Sequence, residues 1–217
     1  MKIAVLRNRY ASFAYVVSDV PEDCQSRLLD DLYWPVESSF LKQYANVPDM
    51  EIIAGNFQKH GVESLEQLLN IQPAPWEQAL SAFIEKLAGT GIRWYIHGSA
   101  AMAIWGIDVA PRDLNIIFPD LSDFDRIRQL FLGETIYPIE RCEGWIMGGL
   151  GGLFVHANIG LAFMNATDVP FDMSQLKEVD WMGWKIAISP LEWLKRDNEN
   201  YGRSERVELI ERFLNKT

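Results

Sequence analysis

Between residues 75 and 133 the apolar positions change period in a readable order. Trp76, Leu80, Phe83, Ile84 and Leu87 fall at i, i+4, i+7, i+8 and i+11, one face of an amphipathic helix. Pro75 suits its first turn, and Gly89 and Gly91 stop it. Residues 92–96 predict a short strand, Gly98-Ser99 a turn, and residues 100–105 a short helix of small side chains. Residues 113–118 predict a second strand, ended by Pro119. Leu121, Phe124, Ile127, Leu130 and Phe131 mark a further helix that stops at Gly133.

The flanks are less regular. Gly148, Gly149, Gly151 and Gly152 predict a flexible turn, followed by strands at 153–158, 161–164 and 185–189. Trp181 and Trp184 flank Gly183, which reads as a hairpin packed on the core. Pro190 opens a helix to about Asn200, Gly202 breaks it, and Ser204 caps a last helix through Leu214. Near the start, residues 1–6 and 10–17 read as strands, and 22–33 and 36–44 as helices, while 47–60 show no clear period. The expected organisation is an N-terminal extension or small subdomain over 1–72, of unassigned role, and a larger domain over 73–217. Its class is α/β (α+β): a mixed sheet flanked by helices, with a helical C-terminal tail.

Composition narrows the function. Thirty acids against twenty bases give a net charge of −10, which disfavours gripping duplex nucleic acid or an anionic membrane through overall charge. Cys24 and Cys142 form no CxxC pair, and His60, His97 and His156 show no HExxH spacing, so a disulfide framework, a zinc ribbon and a histidine-rich metal site are not expected. Arginines interrupt the first ten residues where a secretion signal needs an apolar run, and no stretch reaches the length of a membrane helix, so the expected compartment is the cytoplasm.

Residues 96–118 read I-H-G-S-A-A-M-A-I-W-G-I-D-V-A-P-R-D-L-N-I-I-F, in which Gly98-Ser99 is followed by thirteen residues and then Asp113-Leu114-Asn115. This resembles the signature of the nucleotidyltransferase superfamily: a hydrophobic residue, Gly, then Gly or Ser, a gap, and a strand reading Asp-x-Asp or Asp-x-Glu. Pro190-Leu191-Glu192 through Gly202-Arg203 resembles the helix that follows the sheet in the minimal and abortive-infection-type branches. The resemblance covers roughly residues 75–217.

The resemblance implies nucleotidyl transfer from a Mg²⁺-bound nucleoside triphosphate. Two Mg²⁺ ions would clamp the attacking and leaving oxygens, and hard cations take carboxylate ligands. Asp113 would then be catalytic and a metal ligand, with Asn115 as a weakened second ligand on the same strand face. Gly98 and Ser99 would hold the phosphates at the start of a helix, and Arg112 is a candidate phosphate contact. Asn158 or His156 would take the third ligand position, with Asp172 as the nearest alternative acid.

The motif departs from the resemblance at Asn115 and at the third position, and the tail has Asn198 where lysine is common and Arg206 where aspartate is common. Two functions follow. One is an enzyme that moves a nucleoside monophosphate to a hydroxyl on a small molecule, an RNA end or a protein. The other is a catalytically degenerate relative serving as a nucleotide- or protein-binding module, as in a toxin–antitoxin-like pair. Weak Mg²⁺-nucleotide binding is expected, and the double change Asn115→Asp with Asn158→Asp is expected to tighten it by restoring two charges. The acceptor and the oligomeric state are not legible in these residues.

Overall fold

A computed structural model describes residues 1–7, 12–142, 147–164 and 173–215. The chain begins with β1 (Lys2–Arg7), β2 (Phe13–Ser18), α1 (Gln25–Asp30), β3 (Trp34–Val36), β4 (Ser39–Tyr44) and α2 (Met50–Leu68). These strands form an antiparallel sheet in the order β1-β2-β4-β3. Residues 36–44 therefore form the end of β3, a turn at 37–38 and β4, not the expected helix. Val36, Phe40 and Tyr44 are spaced by four, which satisfies a helical turn and an alternating strand equally; pairing of β4 with β2 and β3 decides for strand.

The stretch without a clear period is the start of α2, a nineteen-residue helix. It buries Met50, Ile53, Ala54, Phe57, Gly61, Ser64 and Leu65 on one side. Beyond residue 60 the same side continues through Gly61 and Ser64, which carry no apolar side chain. Gly61 is closely packed: a Cβ there would stand 2.9 Å from Ile3 Cδ1 and 3.0 Å from Phe57 Cε2. Phe57 stacks on Tyr15 of β2 at 3.8 Å between ring centroids, and the Tyr15 hydroxyl donates to the Ile136 carbonyl at 2.8 Å.

The remaining elements are α3 (Trp76–Leu87), β5 (Tyr95–His97), α4 (Gly98–Ile104), β6 (Asp113–Phe118), α5 (Phe124–Leu130), β7 (Thr135–Arg141), β8 (Met147–Val155), β9 (Ala157–Met164), β10 (Lys177–Trp181), β11 (Trp184–Ile188), α6 (Leu191–Asn200) and α7 (Ser204–Leu214). Seven strands make a mixed sheet in the order β10-β11-β5-β6-β9-β8-β7, with β11–β5 and β6–β9 parallel and the other pairs antiparallel. The class is α/β.

Two expectations are corrected here. The glycines at 148–152 lie inside β8, where a Cβ on Gly149 would come within 2.7 Å of Phe124 and one on Gly151 within 2.6 Å of Ile139; they serve close packing, not a turn. The turn sits instead at His156, whose φ of 61° reverses the chain from β8 into β9. The residue capping α7 is Arg203, and no side chain caps that helix. At the far edge Trp181 tilts against Trp76 at 6.3 Å, whereas Trp184 stands partly in solvent.

Strand alternation sends Leu114, Ile116 and Phe118 to one sheet face. There they join Ile159, Leu161 and Phe163 of β9 and Leu80, Phe83, Ile84 and Leu87 of α3 in one buried cluster. Each such side chain contributes about 2 kcal/mol of burial. Asp113, Asn115 and Ile117 consequently point to the opposite face, where α2 approaches β7 and β9.

Candidate functional site

A cleft of about 870 Å³ opens on that polar face. Its floor is a cross-strand row, Gly152–Gly160–Asn115–His97, set by the pairing of four strands. Asp113 lies two residues along β6, and the Asn115 amide donates to Asp113 Oδ2 at 3.4 Å. Gly98 adopts φ +70° at the start of α4, and a Cβ there would stand 3.0 Å from Asn115 Nδ2. Glycine at 98 thus satisfies both the left-handed backbone and the close approach to Asn115. The structure brings Gly98, Ser99, Arg112, Asp113, Asn115 and Asn158 to this one cleft.

The third position is not free. Asn158 pairs with Asp113 across β6 and β9, and α2 holds its side chain at both ends. Ser64 Oγ donates to Asn158 Oδ1 at 2.5 Å, and Asn158 Nδ2 donates to the Ser64 carbonyl at 2.8 Å. Asn158 is therefore a clamp between β9 and α2 rather than a ligand in waiting. His156 stays on the turn, exposed, with its carbonyl accepting from Gln67. Asp172 lies outside the described residues.

His97 stands at the junction of three elements. Its Nδ1 meets Ser189 Oγ at 2.8 Å and its Nε2 meets Asp197 Oδ2 at 3.0 Å. A proton on Nε2 lets the ring donate to the carboxylate while Nδ1 bonds the serine hydroxyl. Ser189 is fully buried, so this chain of bonds fixes α6 against the sheet and presents no nucleophile. The bond from His97 holds the Asp197 carboxyl below its ordinary value of 3.8, against opposing desolvation. A depressed carboxylate contributes stability above the unfolded-state value and loses it as pH falls through the folded-state value. Asp197→Asn is expected to cost up to about 1 kcal/mol near neutral pH, with the difference from wild type disappearing below the carboxylate range in denaturation curves.

The walls contain residues the sequence reading placed elsewhere. Arg203 and Arg206, at the start of α7, line the cleft with Arg112. Burial raises the Asp113 carboxyl above the usual carboxylate range, and Arg112, the Asn115 bond, Arg206 and Arg203 only partly offset it. Burial likewise lowers Arg206 from the ordinary guanidinium value, reinforced by repulsion from Arg203 and Arg112. Two basic residues opening a helix, where acids are usual, were the available sequence signal.

A further stretch of wall comes from the N-terminal part. Asp31, Lys42 and Tyr44 line it together with Tyr137 and Glu140. Burial raises the Asp31 carboxyl, Lys42 opposes that at 3.5 Å, and the charge of Asp113 adds to it, so the two carboxylates act on each other. Lys42 Nζ lies 4.9 Å from the centroid of Tyr137 and 5.3 Å from that of Tyr33. Asp31 Oδ2 and the Tyr44 hydroxyl are buried without a hydrogen-bond partner among the described residues.

This donor set does not fit a pair of Mg²⁺ ions. Beside Asp113 stand an amide already turned to it, a clamped amide and three guanidiniums, while Asp31 is paired to Lys42. Among the described residues no group of three or more His, Cys, Asp or Glu side chains is arranged to hold a metal. The double change at 115 and 158 is corrected accordingly: Asn115→Asp adds a charge to the cleft, but Asn158→Asp breaks the clamp.

No family model matches this chain, and no curated protein matches it. Three solved structures are similar to it. A Thermotoga maritima protein assigned to the nucleotidyltransferases is 19% identical, with 64% of this chain and 91% of that one covered and a TM-score of 0.48. A lincosamide antibiotic adenylyltransferase with bound lincomycin is 13% identical, with 62% and 96% covered and a TM-score of 0.48. An antigenic nucleotidyltransferase-like protein from Paracoccidioides brasiliensis is 15% identical, with 56% and 63% covered and a TM-score of 0.39. Among the described residues no helix is long and apolar enough to cross a membrane.

Proposed function

We propose that this chain is a nucleotidyltransferase-like protein whose cleft binds a nucleoside triphosphate, acting as a nucleotide-binding module in which transfer chemistry is weak or lost. The observation that carries this reading is the composition of the cleft around Asp113. The Gly-Ser turn and the Asp-x-Asn strand stand together as nucleotidyl transfer requires, yet one carboxylate faces three arginines. Phosphate binding survives such an exchange, because guanidiniums hold phosphate oxygens directly. Two-metal catalysis does not, because Mg²⁺ needs fixed anionic oxygens.

A transferring enzyme is the second reading. It is favoured by the size of the cleft and by its other polar wall of Asp31, Lys42, Tyr44 and Glu140, which leaves room for a hydroxyl-bearing acceptor beside the donor. That acceptor would be a small molecule, an RNA end or a protein segment. Calorimetry with ATP, paired with a radiolabel assay on each acceptor class, separates the two. Binding without label transfer is the expected result. Label transfer that Asp113→Ala abolishes would establish the enzyme instead, and no nucleotide binding under any condition would sink both readings.

A further inference from the structure

We infer that Arg112, Arg203 and Arg206 form a binding site for a polyphosphate chain that works without a divalent cation. The ligand class is the triphosphate of a nucleotide, and to that extent the inference rests on the nucleotide reading above.

Three features point to an anion. All three guanidiniums line one cleft and act on one carboxylate, Asp113, so this wall is net positive in a chain whose overall charge is −10. None of the three forms an ion pair with a carboxylate among the described residues. Arg112 makes a long bond of 3.5 Å to the Leu68 carbonyl, and Arg203 lies over the Tyr201 ring at 4.9 Å. Finally, Arg203 and Arg206 occupy the cap and first turn of α7, an eleven-residue helix whose positive end disfavours further positive charge. The acid of that turn, Glu205, is exposed. Like charges gathered on a helix N-terminus are unfavourable until an anion bridges them.

The rest of the cleft fixes where the phosphates lie. Asp197 is engaged by His97, and Asp31 by Lys42. Glu140 also lines the cleft, and its charge disfavours phosphate beside it. At seven residues, α4 is too short for its dipole to supply the missing charge. Arginine also suits the task geometrically, since its planar fork meets two phosphate oxygens at once. A magnesium ion would cancel two of the charges that the arginines attract, and it would enter a wall already positive. Metal is therefore expected to weaken this contact or leave it unchanged.

The test is calorimetry on the full chain with two probes, ATP and inorganic tripolyphosphate, each in excess EDTA and in excess Mg²⁺. Both probes are expected to bind in EDTA, with equal or weaker binding in Mg²⁺. Arg206→Gln is expected to weaken both by about tenfold or more, the equivalent of one charge-assisted contact. Arg203→Gln, at an exposed position, provides the same readout and loses only the Tyr201 ring contact. Thermal melting of the ligand-free variants adds a control: loss of a repelled charge should hold or raise Tm, whereas loss of a structural contact would lower it. Tripolyphosphate binding without ATP binding would keep this inference and sink the nucleotide reading. ATP binding that appears only with Mg²⁺ would keep the nucleotide reading and overturn this inference. Unchanged affinity in both arginine variants, or no binding of either probe, would also overturn it.

Discussion

Asn158→Asp, the change that would rebuild a third acid, is expected to destabilise the protein by about 3–4 kcal/mol near neutral pH. The side chain is buried, and its amide nitrogen donates to the Ser64 carbonyl at 2.8 Å. An ionised carboxylate there would face that carbonyl oxygen with no donor between them. Protonation is the way out, because a neutral carboxyl restores a donor toward Ser64. Holding a carboxyl protonated about three pH units above its ordinary value costs about 4 kcal/mol. Its folded-state value is thus raised, so the penalty grows as pH rises from the unfolded-state value toward the folded-state value, levels off above it, and vanishes below the unfolded-state value. Urea denaturation at about pH 7 and about pH 4 checks this: the gap from wild type should close at the lower pH. A gap that stays constant between the two would mean that the Ser64 clamp is not what Asn158 supplies. Asn115→Asp, by contrast, changes the charge of the cleft without touching the clamp.

Phe57→Ala is expected to cost about 3–5 kcal/mol and to do so in one cooperative transition. The Phe57 ring is fully buried, stacked on Tyr15 and within 6.0 Å of Tyr137 of the larger sheet. Its cluster contains Ile136 and Phe154 as well as Tyr15, Val17, Ile53 and Leu65, so the N-terminal sheet and β7–β8 share one core through α2. The same helix carries Ser64. Loosening α2 should therefore also weaken tripolyphosphate binding in the adjacent cleft, through displacement of Asn158 and its strand partner Asp113. Two separate melting transitions would show instead that the N-terminal residues fold on their own.

Where local pattern and local chemistry agree, the sequence alone was sufficient. The period of β6 determined that Asp113 and Asn115 share a face, because alternation in a strand is a property of the backbone. The face of α3, the Gly98-Ser99 turn beside β6, and α6 with α7 around Gly202 were legible for the same kind of reason. Other elements were hidden because their signal is a contact with something distant in sequence. Gly149 and Gly151 look like a turn until Phe124 and Ile139 occupy the space above them. Gly61 and Ser64 look like breaks until Ile3 and Asn158 fill the notches they leave. Residues 36–44 satisfied two periods, and only pairing with β2 chose one.

The cleft divides along the same line. The part of the floor on β5, α4 and β6 was readable, since His97, Gly98, Asp113 and Asn115 fall within one continuous stretch of chain, whereas Gly152 and Gly160 arrive from β8 and β9. Its walls were not, because Asp31 arrives from the end of α1, Lys42 and Tyr44 from β4, and Arg203 and Arg206 from the start of α7. Whether Asn158 is a ligand or a clamp was likewise decided by Ser64, ninety-four residues away. Residue types fix which charges the chain carries; only tertiary packing fixes which of them meet, and here it set three arginines, rather than three carboxylates, around one aspartate.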